Sequence, residues 1–185
     1  MIIQLTGLSG SGKTTIATLA KAQLSILGIK TEIIDGDIYR ETLCKDLGFS
    51  EDDRKENIRR LGNVAYSFAK QGFVSIISAI SPFEVIRQEL SEKYNAKTVW
   101  INCPLDVLIK RDTKGLYHKA LLPLGTPGRV DNFTGVTQVY ESPQTPDLIL
   151  FTDQETQELS AQKLVSFIIA HLHPEELEIA KTEMI

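Results

Sequence analysis

A chain of 185 residues, 42% apolar and 24% charged, is long enough to bury one core without help from disulfides or metal. Its formal net charge of −4 leaves no basic excess to neutralise a phosphate backbone, which argues against nucleic acid as its main partner. No apolar run approaches the ~20 residues that cross a bilayer, the start carries no signal-peptide pattern, and Cys44 and Cys103 stand far apart with no CxxC, so a cytoplasmic protein with no membrane partner is expected.

In chain order, residues 2–6 read as a short buried strand that ends on a glycine-rich turn. Residues 13–27 carry Ile16, Leu19, Ala20, Leu24 and Leu27 at helical spacing, and Gly28 stops the run. A second strand over 31–34 leads into Asp35-Gly36-Asp37. A long helix follows, opened by a capping box of Ser50 with Asp53, lined on one face by Ile58, Leu61, Val64, Ala65 and Phe68, and ended before Gly72. Continuous β-favouring runs at 73–78, 98–102 and 148–151 suit strands covered on both faces, and helices fill 84–94, 104–111 and 155–172. This alternation predicts an α/β fold, a doubly wound and mainly parallel sheet flanked by helices.

Residues 113–147 break the alternation with Gly115, Pro123, Gly125, Pro127, Gly128, Gly135, Pro143 and Pro146. A stretch this irregular inside a compact domain points to function, and a mobile lid is expected over about residues 113–135. The division expected is one domain over 1–173 and an acidic tail over 174–185.

Gly7-Leu8-Ser9-Gly10-Ser11-Gly12-Lys13-Thr14 fills every fixed position of the P-loop pattern G-x-x-x-x-G-K-[ST], between a strand and a helix. Glycines let backbone N–H groups close on a β-phosphate at a helix N-terminus. Lys13 supplies an ammonium for the γ-phosphate, and the Thr14 hydroxyl is placed to ligate Mg²⁺. The fold expected is therefore of the P-loop NTPase type, with ATP and Mg²⁺ as cofactors and Gly7 to Thr14, with Thr15, as the ATP-binding stretch. No NKxD signature of G proteins is present, nor a Walker-B strand at motor-ATPase spacing. Asp35-Gly36-Asp37 instead ends the second strand, where a small-molecule kinase needs a carboxylate to hold the Mg²⁺ shell through water and to orient or deprotonate an acceptor hydroxyl.

From Ile3 to about Leu172 the chain resembles the adenylyl-sulfate (APS) kinase family. Beyond the P-loop with Thr15, the resemblance rests on Asp35-Gly36-Asp37 with Arg40, on Leu47-Gly48-Phe49-Ser50, and on Asp53-Arg54 with Glu56-Asn57-Ile58-Arg59-Arg60. It continues through Ile80-Ser81-Pro82-Phe83, Arg111-Asp112, Lys114-Gly115-Leu116-Tyr117, Asn132-Phe133-Thr134-Gly135-Val136 and Tyr140-Glu141. The resemblance implies transfer of the ATP γ-phosphate to the ribose 3′-hydroxyl of adenylyl sulfate, giving 3′-phosphoadenylyl sulfate (PAPS), by a homodimer. It implies that Lys13, Asp37 and Ser81 act in catalysis and that Arg111 joins the ATP site. Substrate binding falls to Asp35, Asp37, Arg40, Phe49, Arg54, Asn57, Ile80, Ser81, Lys114, Gly115, Leu116 and Phe133. Phe49 and Phe133 resemble the two rings that sandwich the acceptor adenine, and Arg40, Arg54 and Asn57, with Arg59 or Arg60, suit a phosphosulfate.

Plainer readings stand beside these. Arg54, Arg59 and Arg60 also fit a solvated helix face, Phe49 a staple at the start of the helix, Phe133 a loop anchor, and Ser81 a helix cap. The resemblance assigns the Ser81 position a phosphoserine intermediate; direct in-line transfer with Ser81 as a pocket residue is the expectation here. The chain departs from the family in a longer Pro/Gly-rich lid at 121–131, in the absence of a lysine just before the Phe-Thr-Gly block, where Arg129 is the stand-in, and in Glu84, where arginine is common. These departures keep open a related P-loop kinase with another acceptor, or a nucleotide-binding regulatory subunit.

Overall fold

A computed structural model describes residues 1–172 of the protein; the tail expected over 174–185 lies outside them. The strands β1 (Ile2–Thr6), β2 (Thr31–Asp35), β3 (Val74–Ser78), β4 (Lys97–Asn102) and β5 (Leu148–Phe151) pair side by side in the order β2-β3-β1-β4-β5, every pairing parallel. The chain returns from each strand through helices: α1 (Lys13–Ile26), α2 (Gly36–Arg40), α3 (Glu51–Ala69), α4 (Glu84–Tyr94), α5 (Leu105–Arg111), α6 (Leu116–Ala120) and α7 (Gln157–His171).

The core divides by sheet face. Ile3, Leu5, Val99 and Ile101 point to one side, against Ile16, Ala20 and Leu24 of α1 and Leu164 and Ile168 of α7. Ile2, Ile34 and Ile77 point to the other, against Ile58, Leu61 and Ala65 of α3 and Ile86 and Leu90 of α4. The apolar runs read as doubly covered strands owe their continuity to these two layers. A third cluster unites Cys103, Leu108, Tyr117, Ala120 and Phe133 with Leu8 of the glycine-rich turn, so the irregular stretch rests on a small core of its own.

The short helices α2 and α6 were not expected. Five residues are too few to show a helical period, and in each a carboxylate at or just before the start takes up otherwise unpaired N–H groups. Asp35 Oδ1 accepts from Asp37 N at 2.8 Å, while Asp112 accepts from Tyr117 N at 3.0 Å and His118 N at 2.9 Å. The cap of α3 follows expectation: Ser50 Oγ accepts from Asp53 N at 3.2 Å and donates to Asp53 Oδ2 at 2.7 Å.

In this strand order the carboxyl ends of β1, β2 and β3 open onto one crevice. The glycine-rich turn leaves β1, the Asp-Gly-Asp run leaves β2, and the Ile80–Ser81 turn leaves β3.

Candidate active site

The turn after β1 is shaped by close approach. A Cβ on Gly7 would sit 2.5 Å from the Ile101 carbonyl, so only glycine fits against β4 there. Gly12, at φ 101°, turns the chain into α1, leaving the first N–H groups of that helix directed at the crevice. Lys13 Nζ donates to the carbonyls of Gly7 at 2.9 Å and Leu8 at 2.8 Å. Burial pulls its pKa down to about 8; Asp37 and Asp35 work against the shift and the Lys114 ammonium adds to it.

Beside Lys13, oxygens gather. Thr14 Oγ1 donates to Asp35 Oδ2 at 2.8 Å and lies 3.1 Å from Ser78 Oγ at the end of β3. Asp37, exposed on the first turn of α2, pairs with Lys114 at 2.9 Å. Among the described residues no three His, Cys, Asp or Glu side chains gather in a metal cage. Two carboxylates and a threonine hydroxyl fit Mg²⁺, which keeps several waters and takes its remaining ligands from substrate phosphates. A cavity of about 230 Å³ holds Lys13, Thr14, Thr15, Asp35, Asp37 and Ser78 on its walls.

A second cavity, of about 300 Å³, opens on the far side of Asp37. Ser9, Asp37, Ala79, Ile80 and Lys114 line both cavities, so the two spaces meet at the Asp37 carboxylate. The walls of the second are Phe49 and Phe133, the side chains of Arg40, Arg54 and Asn57, the Ile80–Ser81 turn, and Leu116. Phe133 is buried, held edge-on by Tyr117 at 5.0 Å and 90°. Phe49 is 53% exposed; its ring carries the Arg40 guanidinium at 4.5 Å and that of Arg54, in the first turn of α3, at 5.3 Å.

The cavity's two carboxylates, Asp37 and Asp131, are already paired with Lys114 and Arg129, which leaves Arg40 and Arg54 without a carboxylate partner there. Arg54 is buried and bonds only the Asn132 carbonyl, at 2.7 Å, while its Nε and Asn57 Oδ1 have no hydrogen-bond partner. Burial first, and the Arg40 charge second, lower the Arg54 pKa to about 10. A desolvated cation with a free donor is arranged to receive an oxyanion. Ser81, at φ 44°, sits in the cavity wall with its Oγ buried and unpaired. The N-cap of α4 is Phe83, so Ser81 caps nothing.

Several expected residues stand elsewhere. Arg59 is taken by Glu89 at 2.8 Å and Arg60 by Asp46 at 2.6 Å and Glu56 at 3.0 Å, so both belong to the solvated face of α3. Asp35 lines the first cavity rather than the second, and its two oxygens are engaged by Thr14 and by the start of α2. Gly115 lines neither cavity; with φ 65° it turns the chain into α6. Arg111 lies outside both, near Ser9 and Gly10, donating to the Thr152 carbonyl at 3.0 Å. Arg129 pairs with Asp131, donates to the Leu122 carbonyl and lines neither cavity. Glu84 is turned away from the second cavity and pairs with Arg87.

The sequence reading passed over Ser78, Tyr117 and Arg87. Ser78 was legible as the last residue of a strand beside the glycine turn. Tyr117, whose hydroxyl donates to Ser9 O at 2.8 Å, carried no signal beyond its place in a block, and Arg87 sat unmarked in an ordinary helix.

The family model for adenylylsulphate kinase matches residues 1–151. An adenylyl-sulfate kinase of Bacillus pumilus is 47% identical over 171 residues, spanning 90% of this chain and 84% of its own. One from Halothermothrix orenii is 44% identical over 167 residues, spanning 90% and 88%. The fold superposes with a TM-score of 0.82 on the APS kinase of Mycobacterium tuberculosis solved in complex with AMPPNP and APS, at 36% identity and with 90% and 97% of the two chains covered.

Proposed function

Because the chain belongs to the adenylylsulphate kinase family, we propose that its two cavities take ATP on the Lys13 side and adenylyl sulfate on the Arg54 side, with the γ-phosphate crossing between them at Asp37. The observation that carries this reading is the shared wall: Asp37 and Lys114 border both spaces. A nucleotide triphosphate cradled by Gly7 to Thr15 presents its γ-phosphate to that wall. The Asp37 carboxylate takes the proton of the ribose 3′-hydroxyl as its oxygen attacks the γ-phosphorus; the bond to the β–γ bridging oxygen breaks and ADP leaves. Lys13 exchanges its two loop carbonyls for the phosphate oxygens and follows the charge toward the leaving ADP. Mg²⁺, held by Thr14 with Asp35 and Asp37 reached through water, would neutralise the β- and γ-phosphates.

Acceptor selectivity comes from the second cavity. Phe49 and Phe133 offer flat faces for an adenine, and Arg40, Arg54 and Asn57 offer donors for a phosphosulfate. Direct transfer leaves Ser81 as a wall hydroxyl. Lys114, pairing Asp37 from the irregular segment, is a lid residue that closes over the nucleotides, and Arg111, just before the lid, meets the ATP from beside Ser9 and Gly10. A domain over 1–173 with a lid at 113–135, a homodimer and a cytoplasmic location complete the reading. No helix among the described residues is long and apolar enough to cross a membrane.

An ADP-release assay with Mg-ATP tests the assignment. Adenylyl sulfate should support turnover while sugars and plain nucleosides do not, and Asp37→Asn should lower kcat by about 10²–10⁴-fold. Turnover on another acceptor, or an undiminished Asp37→Asn enzyme, contradicts it.

A further inference from the structure

Arg87 lies on the buried face of α4, only 1% exposed, between the apolar Ile86 and Leu90. A guanidinium sealed in a core is costly unless every donor is used, and its partners therefore say what it is for. Here one of them, the Ser81 carbonyl, belongs to a residue of the acceptor cavity's wall, and the others, Glu84 and Glu141, lie outside that cavity. Arg87 Nη1 donates to the Ser81 carbonyl at 2.6 Å, Nη2 to the Glu141 carbonyl at 2.6 Å, and Nε and Nη2 to Glu84 Oε2 at 3.1 and 2.5 Å. Glu141 in turn takes the Glu84 N–H at 2.6 Å and donates its own N–H to the Pro82 carbonyl at 2.8 Å. From the other side, Gly7 N reaches the Ile80 carbonyl at 3.3 Å and Thr6 Oγ1 reaches it at 2.7 Å. Three consecutive carbonyls, at 80, 81 and 82, are thus held from behind.

The middle one belongs to Ser81, whose left-handed backbone at φ 44° a serine does not adopt without outside support. We infer that Arg87, neutralised by Glu84, is a positioning residue that holds Ser81 in this conformation and so presents the turn to the acceptor. The inference rests on the second cavity being the adenylyl sulfate site. It also gives Glu84, which departs from the arginine common at that position, a job: it is the only acidic side chain that Arg87 meets among the described residues.

The test is a double-mutant cycle on the full chain: wild type, Arg87→Lys, Ser81→Gly, and the two combined, each assayed with adenylyl sulfate and Mg-ATP varied separately. Lysine cannot serve the Ser81 and Glu141 carbonyls and Glu84 together. Arg87→Lys should raise KM for adenylyl sulfate by about tenfold while KM for ATP stays within about twofold. Glycine holds a positive φ without strain, so in the Ser81→Gly background the same substitution should cost less than about threefold. An equal cost in both backgrounds would show that Arg87 merely packs, and no cost in either would overturn the inference outright. Should Arg87→Lys not fold, Glu84→Gln takes its place in the cycle with the same expected suppression by glycine and the same overturning result. A wild-type enzyme inert toward adenylyl sulfate contradicts the functional reading itself, which is a different result from a cycle without coupling.

Discussion

The Lys13 ammonium is held by two carbonyls of its own loop with a pKa near 8, well below the ordinary lysine value. A bound triphosphate adds negative charge beside it and raises that pKa, so above about pH 8 binding must take up a proton. The sign is fixed: the free protein loses the Lys13 charge as pH rises through its depressed pKa, and ATP affinity falls over the same range. Calorimetry with ATP in buffers of different ionisation enthalpy at about pH 8.5 should show that uptake, whereas about pH 6.5 should show none at Lys13. Proton release at the higher pH contradicts the assignment. Arg54 is the counterpart in the second cavity, the proposed acceptor side: a buried cation with an idle Nε. Arg54→Met should raise the KM for adenylyl sulfate more than about tenfold yet stabilise the free protein by about 1 kcal/mol, as expected where a site keeps an unpaired charge for its ligand. A melting curve beside the kinetics checks both halves, and a fall in stability with unchanged KM would remove Arg54 from the site. That Lys13 and Asp37 would face one crevice was readable from the P-loop and the Asp-Gly-Asp run; that Phe49, Arg54 and Phe133 would line one cavity followed from the family resemblance. Arg59 and Arg60 misled because a helix period places them beside Arg54 without saying which face turns outward, and only Glu89, Asp46 and Glu56 settle that.

At the scale of elements, α3 delivers Arg54 and Asn57 to the second cavity from its first two turns, so under the proposed assignment the start of that helix belongs to the acceptor site. Its cap is Ser50, reciprocally bonded to Asp53. Ser50→Ala should cost about 1 kcal/mol of unfolding free energy and, by fraying this turn, raise the KM for adenylyl sulfate while leaving that for ATP unchanged. Denaturant unfolding and paired KM measurements decide it; equal changes in both KM values would mean that the helix start does not serve the acceptor alone. The strands and long helices were legible because their apolar residues recur at one period over many positions. By contrast, α2 and α6 owe their form to single carboxylates, Asp35 and Asp112, which a periodicity cannot register. The Arg87 network was equally hidden, since its partners lie at Ser81, Glu84 and Glu141, and the last is 54 residues away.

For the whole molecule, the strand order sets everything else: β1 in the centre, with β2 and β3 to one side, brings a glycine turn, a carboxylate run and a strained serine turn to one edge of the sheet. The irregular segment then folds over that edge, anchored by Tyr117 and Phe133 against Leu8 and by Lys114 on Asp37. Sequence alone predicted the sheet and the P-loop, but that two cavities share Asp37 is a fact of packing between distant segments. The measurement that bears most directly on that shared wall is phosphorus NMR of the product formed from Mg-ATP and adenylyl sulfate. The expected spectrum is a new monoester resonance at the ribose 3′ position growing in step with ADP, one for one. ADP and inorganic phosphate without a phosphorylated nucleotide, or a phosphate on any other hydroxyl, would contradict a transfer across Asp37.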